Sequence, residues 1–213
     1  MNKEKNKIKF GLKNTHYAII TETEQEDGTI KSTYSTPKKW PGAVSMSLDP
    51  SGESNTFYAD DTAYAVLSSN SGYEGDFESA VVPEDVEIEV MGQEEVDGVL
   101  VESSTDEQKY IALLFEFNGD KKARRHVLYR CSLTRHSVAS QTKEDSTEPV
   151  TESVTIKSTP RPDVDVINGK EKNLVKATTG SNTKDETYKN WFTKVWVPTS
   201  AEPTEAEPTE AAG

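Results

Sequence analysis

The sequence predicts a mainly β fold: a β-sandwich or barrel with one short flanking helix and long loops. Three observations carry this. Apolar residues recur with period 2 in many short runs. Helix-period runs are scarce, and one good one stands at 83–92. Strong turn signals, among them Asp27-Gly28, Asp97-Gly98 and Asn118-Gly119, punctuate the runs.

Taken in order, 8–10 and 17–21 read as two strands. Gln25 to Gly28 is a turn, because Asp-Gly supplies the positive φ of tight hairpins, and 29–34 returns. Val44 to Leu48 alternates and should stop at the breaker Asp49-Pro50-Ser51-Gly52. Residues 56–59, 63–67 and 73–81 are further strands. In the helix, Pro83 suits a first-turn position and Glu84 and Asp85 suit the positive end of the helix dipole. Val86, Val90 and Met91 can share its buried face, and Gly92 can end it. Val99 to Val101 and the apolar run 110–117 follow, with Asn118-Gly119 as the next hairpin turn. On 125–133, Val127, Tyr129, Cys131 and Leu133 should share one face and His126, Leu128 and Arg130 the other. Residues 152–158 alternate, and 191–196 is an aromatic-rich terminal strand or short helix.

These elements suit one domain, 1–198, with an N-terminal arm. The stretch 199–213 repeats Glu-Pro-Thr-Glu-Ala twice and reads as a disordered acidic tail.

The 213 residues carry a net charge of −13, placed unevenly. From Trp40 to Gln108 there are 17 acids and no Lys or Arg. Residues 1–39 and 109–198 carry all 24 basic residues against 16 acids. An acidic block and a basic block suggest internal pairing or self-association between unlike faces. The overall charge excludes a nucleic-acid coat protein of the usual basic kind. No apolar run reaches the ~18 residues of a membrane span. The charged N-terminus leads into no apolar run, so no signal peptide is expected. A single cysteine excludes an intramolecular disulfide framework.

Catalytic and metal chemistry are hard to assemble from these residues. No Gly-rich phosphate loop, Cys-x-x-Cys or His-Glu-x-x-His is present. His126 and Cys131, five apart on a strand, should point to opposite faces, which argues against a Cys-His pair. Asp49 to Glu53 lacks the acidic ladder of a calcium loop and reads better as a tight turn. The cations Lys121, Lys122, Arg124, Arg125, Arg130 and Arg135 read better as partners of the acidic block or as a solvated loop than as a nucleic-acid site.

Several segments acquire meaning together. They are Lys9-Phe10-Gly11-Leu12-Lys13-Asn14-Thr15-His16-Tyr17-Ala18; Pro41 to Glu53; Phe57-Tyr58-Ala59-Asp60-Asp61; and Gly72-Tyr73-Glu74-Gly75-Asp76-Phe77-Glu78. Ala112 to Asp120, Arg125 to Cys131 and Asn190-Trp191-Phe192-Thr193-Lys194-Val195 complete the set. In this order and spacing they resemble the major tail proteins (tail tube subunits) of long non-contractile-tailed phages of Gram-positive bacteria. The resemblance spans nearly all of 8–198 and leaves out the repeated tail. It implies a structural virion protein that self-assembles into stacked, hexameric rings forming the tail tube, a conduit for DNA ejection. It implies no enzyme activity, catalytic residue, metal or cofactor. The implied partners are copies of itself, a tape-measure protein, tail-end proteins and passing DNA without specific binding, with no membrane. The implied location is the virion, after synthesis in the host cytoplasm.

Within that expectation, the loops 49–61 and 119–125 offer subunit contacts. The candidates are Asp49, Glu53, Phe57, Tyr58, Asp60 and Asp61 on one and Lys121, Lys122, Arg124 and Arg125 on the other. Head-to-tail contact between unlike surfaces closes rings or propagates filaments. Glu74, Asp76 and Glu78 are candidate lumen acids, since like charge keeps a duplex from adhering to the wall. Assembly by charge pairing should weaken with salt. Arg124→Glu with Arg125→Glu should impair polymerisation while leaving the subunit folded. The competing expectation is a host-surface or carbohydrate-binding β-domain using Trp40, Tyr58, Tyr64 or Trp196 as a stacking platform.

Overall fold

A computed structural model describes residues 5–59, 61–140, 142 and 149–198. The elements in chain order are β1 (Lys9–Glu24), β2 (Ile30–Tyr34), β3 (Lys38–Lys39), β4 (Ala43–Ser51), β5 (Ser54–Ala59), β6 (Thr62–Ser68) and β7 (Gly72–Ser79). Next come α1 (Glu84–Glu89), β8 (Glu94–Val96), β9 (Val99–Val101), β10 (Ile111–Gly119), β11 (Arg124–Leu133) and β12 (Glu152–Ser158). The chain then forms β13 (Val164–Ile167), β14 (Lys170–Asn173), β15 (Lys176–Thr178) and α2 (Asp185–Lys189), followed by a 3-10 turn at Asn190–Phe192. The fold is mainly β and antiparallel, as the period-2 runs predict. The repeat 199–213 lies outside the described residues.

One sheet organises the molecule, in the order β2-β1-β10-β11-β12-β7-β4, with β3 on β1 and β15 on β11. Its central strand β10 is buried on both faces, which is why 111–115 reads as an unbroken apolar run. Ile111, Leu113 and Phe115 enter one core with Tyr17, Trp40, Phe77, Val154 and Ile156. Residues from both ends of the sheet meet in that cluster, so the sheet curves over itself. β1 and β4 approach without hydrogen-bonding to each other. The result is sandwich-like, with no closed barrel. Trp40 sits edge-on to Phe77, with ring centres 5.1 Å apart, and to Tyr17 at 6.3 Å. Helix α1 adds Val86, and the turn after it adds Val90 and Met91. The anticipated buried face of this helix is therefore the observed one. Pro83 precedes the first turn as N-cap rather than lying within it.

The opposite face carries Ala18, Leu114, Val127 and Tyr129. The C-terminal segment covers it with Trp191 and Val195. Trp191 donates Nε1–H to the His126 carbonyl at 3.2 Å. Residues 191–196 are thus no strand: the 3-10 turn at Asn190–Phe192 follows α2, and 193–196 run on without regular structure across this face. Beneath them Glu116 is 3% exposed on β10. It accepts from Arg125 Nε at 2.7 Å and pairs with Lys13 at 3.3 Å. The Arg125 guanidinium lies 3.8 Å from the Tyr188 ring centre and 4.9 Å from that of Phe192, and it donates to the Tyr188 carbonyl.

Four local expectations change. The stretches 8–10 and 17–21 form one strand, because Gly11 and Asn14 adopt positive φ where the β1–β10 register shifts. Asp49-Pro50-Ser51 does not end β4: the strand lies at the end of the sheet order, where a proline costs no ladder bond on its open side. Asn118-Gly119 closes β10, and the connection is 120–123. In β11 the register slips between the pairs Cys131–Ile111 and Leu128–Leu113. This bulge puts Cys131 and Leu133 with Leu128 in the first core and leaves Val127 and Tyr129 in the second.

Removing Arg125 leaves a buried carboxylate without its closest cation. Arg125→Ala should cost about 3–5 kcal/mol, read as a lower denaturant midpoint. A midpoint equal to that of the unchanged protein would show that the pair does not hold the cover.

Candidate functional site

The chemistry-bearing side chains collect on surfaces rather than in a cleft. The first surface is the outer face of β12-β7-β4. Residues alternate across a strand, so Glu74, Asp76 and Glu78 of β7 point away from the core that holds Phe77. Register sets each beside polar neighbours. Asp49, Glu74 and Lys157 form one row, Ser47, Asp76 and Thr155 the next, and Ser45, Glu78 and Ser153 the third. No apolar side chain interrupts the three rows. Thr155 Oγ1 donates to Asp76 at 2.8 Å, and Ser45 Oγ donates to Glu78 at 2.8 Å. Thr151 also donates to Glu78, and these hydrogen bonds hold its carboxyl below the usual range. Lys157 stands 3.9 Å from Glu74. The three acids proposed from sequence thus form one column on one open face.

The second surface is the hairpin β5–β6, which matches the strands read at 56–59 and 63–67 and takes the place of an exposed loop over 49–61. The backbones of Ser51, Glu53, Ser69 and Ser71 bond across its base and carry the β4–β7 ladder into it. Asp49 and Glu53 are exposed at the start of this extension, and Asp61 is exposed in its turn with φ +57°. Phe57 and Tyr58 lie in β5, paired with Ala65 and Ala63. Asp60 lies outside the described residues.

The third surface is the tip of β10–β11, where the N-terminal arm docks. Asn6 Oδ1 accepts from the Lys121 and Lys122 amides at 3.1 and 2.9 Å, and Asn6 Nδ2 donates to the Lys122 carbonyl at 2.5 Å. Gly119 makes room for this: a Cβ there would lie 2.1 Å from Asn6 Nδ2. Lys122 covers the Tyr188 ring at 3.8 Å and stands 4.0 Å from Asp185. Arg124 donates Nε–H to the Thr179 carbonyl at 3.3 Å. Two open cavities of about 310 and 260 Å³ flank Arg124; Lys5 and Lys122 line the first, Lys7, Lys9 and Phe117 the second.

Two sequence readings need correction here. Arg125 is committed to Glu116 and the C-terminal cover, so reversing it attacks the fold and cannot report on assembly alone. Trp40 is 1% exposed in the core and cannot be a stacking platform, whereas Tyr64 and Trp196 reach the surface. The face assignment of His126 and Cys131 also changes, since the bulge places both toward the first core. No Cys-His pair results. Burial pushes the Cys131 thiol up to about 12, and His126 Nδ1 faces Thr178 Oγ1 at 3.0 Å. Sequence reasoning missed the hairpin β13–β14, although Asn168-Gly169, both at positive φ, marks its turn. It also missed the use of Asn6, which no local pattern signals.

The fold and these faces describe an antiparallel β-protein with polar, oppositely charged surfaces. No known family model matches the chain, and no curated protein matches it. Among the described residues, no helix is long and apolar enough to cross a membrane.

His126 packs 5.0 Å from Phe115, ring centre to ring centre, and burial, then Arg124, Lys176 and Lys9, lower its pKa to about 4 from 6.5. The unfolded chain then takes a proton that the folded one refuses. Stability should be indifferent to this group above about 6.5 and fall as pH drops from there to about 4. Chemical denaturation across that window should give a shallower slope for His126→Gln. Separately, Gly119→Ala should expel the Asn6 side chain and speed amide exchange at Lys121 and Lys122; unchanged exchange would remove the docking role of Asn6.

Proposed function

We propose that this chain is a tail tube subunit that builds stacked rings around a passage for DNA. The resemblance of its ordered segments to tail tube proteins motivates the reading. The observation that carries it is the nine-position outer face of β12-β7-β4. Its nine side chains are four carboxylates, one lysine and four hydroxyls. Affinity for a polyanion comes chiefly from cations that displace counterions from phosphate. A face of this composition repels a duplex and holds water, so the duplex slides instead of binding.

Subunits so built stack through projecting elements, and β5–β6 is the largest hairpin standing off the main sheet. In this reading it bridges rings and the charged surfaces bridge neighbours within them. The tape-measure protein occupies the passage before DNA does.

The test is electron microscopy of purified protein across a concentration and salt series. Rings or tubes that dissolve as salt rises are expected, with Glu74, Asp76 and Glu78 lining the channel in the reconstruction. A monomer at every condition would overturn the tube; a channel lined by other residues would overturn the role of this face. Specific glycan binding by the monomer would favour a display module instead.

A further inference from the structure

The hairpin β8–β9 leaves α1 with its apolar side uncovered. Val96 pairs with Val99, and Glu94 with Val101, so the three valines share a face, with Glu94 at its base. They are 52%, 61% and 47% exposed. The flanking acids are Glu94, Glu95, Asp97 and Glu102, with no basic residue between them. Asp97 and Gly98 form the apex, both at positive φ (+54° and +79°), which gives a narrow turn with one carboxylate at its end. Of these acids, Glu102 is paired to Arg135 at 2.7 Å. Exposed apolar residues within an acidic rim mark a contact surface.

The tip of β10–β11 with its docked arm has the opposite character. Lys5, Lys7, Lys9 and Arg124 are exposed around two concavities, and Ile8 and Phe10 beside them are 60% and 54% exposed. Here cations surround an apolar floor; on the hairpin, acids surround an apolar tip. Both carry side chains that the single chain does not bury.

We propose that the β8–β9 hairpin of one subunit docks into the basic notch of a second copy, with Asp97 toward Arg124 and Val96 and Val99 on Ile8. The contact is head-to-tail, so each subunit offers one hairpin and one notch and the series closes or propagates. Charge complementarity selects the register and speeds encounter, while the valines supply burial. The inference rests on the self-assembly proposed above.

Two variants test it. The first carries Glu94→Lys, Glu95→Lys and Asp97→Asn; the second carries Lys5→Glu, Lys7→Glu and Arg124→Glu. Each should keep the unmodified thermal melt and lose assembly, because like charges now meet. Mixed in equal amounts they should recover assembly, since each reversed surface finds its complement on the other chain. Recovery on mixing cannot arise from a misfolded subunit. For an independent readout, Val99→Cys mixed with Lys7→Cys and treated with oxidised glutathione, which takes up the two electrons, should form an intermolecular disulfide, as Cys131 is buried. An unmodified protein that never assembles would sink the tube reading itself. Unmodified protein that assembles, with single variants that also assemble or a mixture that stays dissociated, would overturn this contact alone. So would a notch variant that loses duplex-DNA binding while keeping assembly, since the notch would then serve a polyanion.

Discussion

The ion pair of Glu116 and Arg125 is the constraint on which the two-sided sheet depends. A carboxylate on the central strand of a buried sheet is costly unless its charge is met and its oxygens accept hydrogen bonds. Arg125 meets it from the neighbouring strand, and Lys13 and Asn14 approach from β1. The guanidinium then offers its faces and remaining donors to Tyr188 and Phe192. Phe192 in turn stacks on His16 at 4.8 Å. A polar group in the sheet thereby fixes where the C-terminal cover sits. That cover seals Ala18, Leu114, Val127 and Tyr129 from water. The outer polar face, by contrast, needs no cover and is left for other work.

Much of the fold was legible because its signals are local. The Asp27-Gly28 and Asp97-Gly98 turns, the continuous run 111–115 and the Val86–Val90–Met91 face each follow from a few adjacent residues. Two of the errors share a cause: a residue type usual in loops served inside a strand. Gly11 and Asn14 make bulges, and Pro50 stands at an open edge. The bulge in β11 leaves no mark in the sequence at all, yet it moves Cys131 and Leu133 to the other face. The acid column on β7 was readable, since alternation alone puts Glu74, Asp76 and Glu78 together. The commitment of Arg125 was not, because its partners lie 9 and 63 residues away. The same distance hid the docking of Asn6, 116 residues from Lys122.

Charge in this protein is sorted by use rather than merely by sequence block. Some acids of the 40–108 stretch meet cations within the chain: Glu89 meets Lys38 and Glu102 meets Arg135. On β7, Asp76 and Glu78 are held instead by hydroxyls and Glu74 stands beside Lys157, and all three stay outward. Those on β8–β9 flank exposed valines. A net charge of −13 therefore describes three different environments. The first two tie elements of the single chain together; the third does so only through Glu102.

The C-terminal cover has a consequence for synthesis. β10 and β11 are complete by Leu133, but the residues that seal their second face arrive only at Trp191 and Val195. For nearly sixty residues of elongation the nascent sheet lacks that seal, and Tyr34 and later Leu174 and Ala177 cover the flank only in part. β1 must also wait about a hundred residues for its partner β10, which makes early closure slow. Such a chain matures late and as a unit, and the interval before Trp191 emerges is when a holding chaperone matters most. A ribosome that stalls in that interval releases a sheet that adheres to other sheets, whereas one that stalls after Val195 releases a sheet with this face sealed.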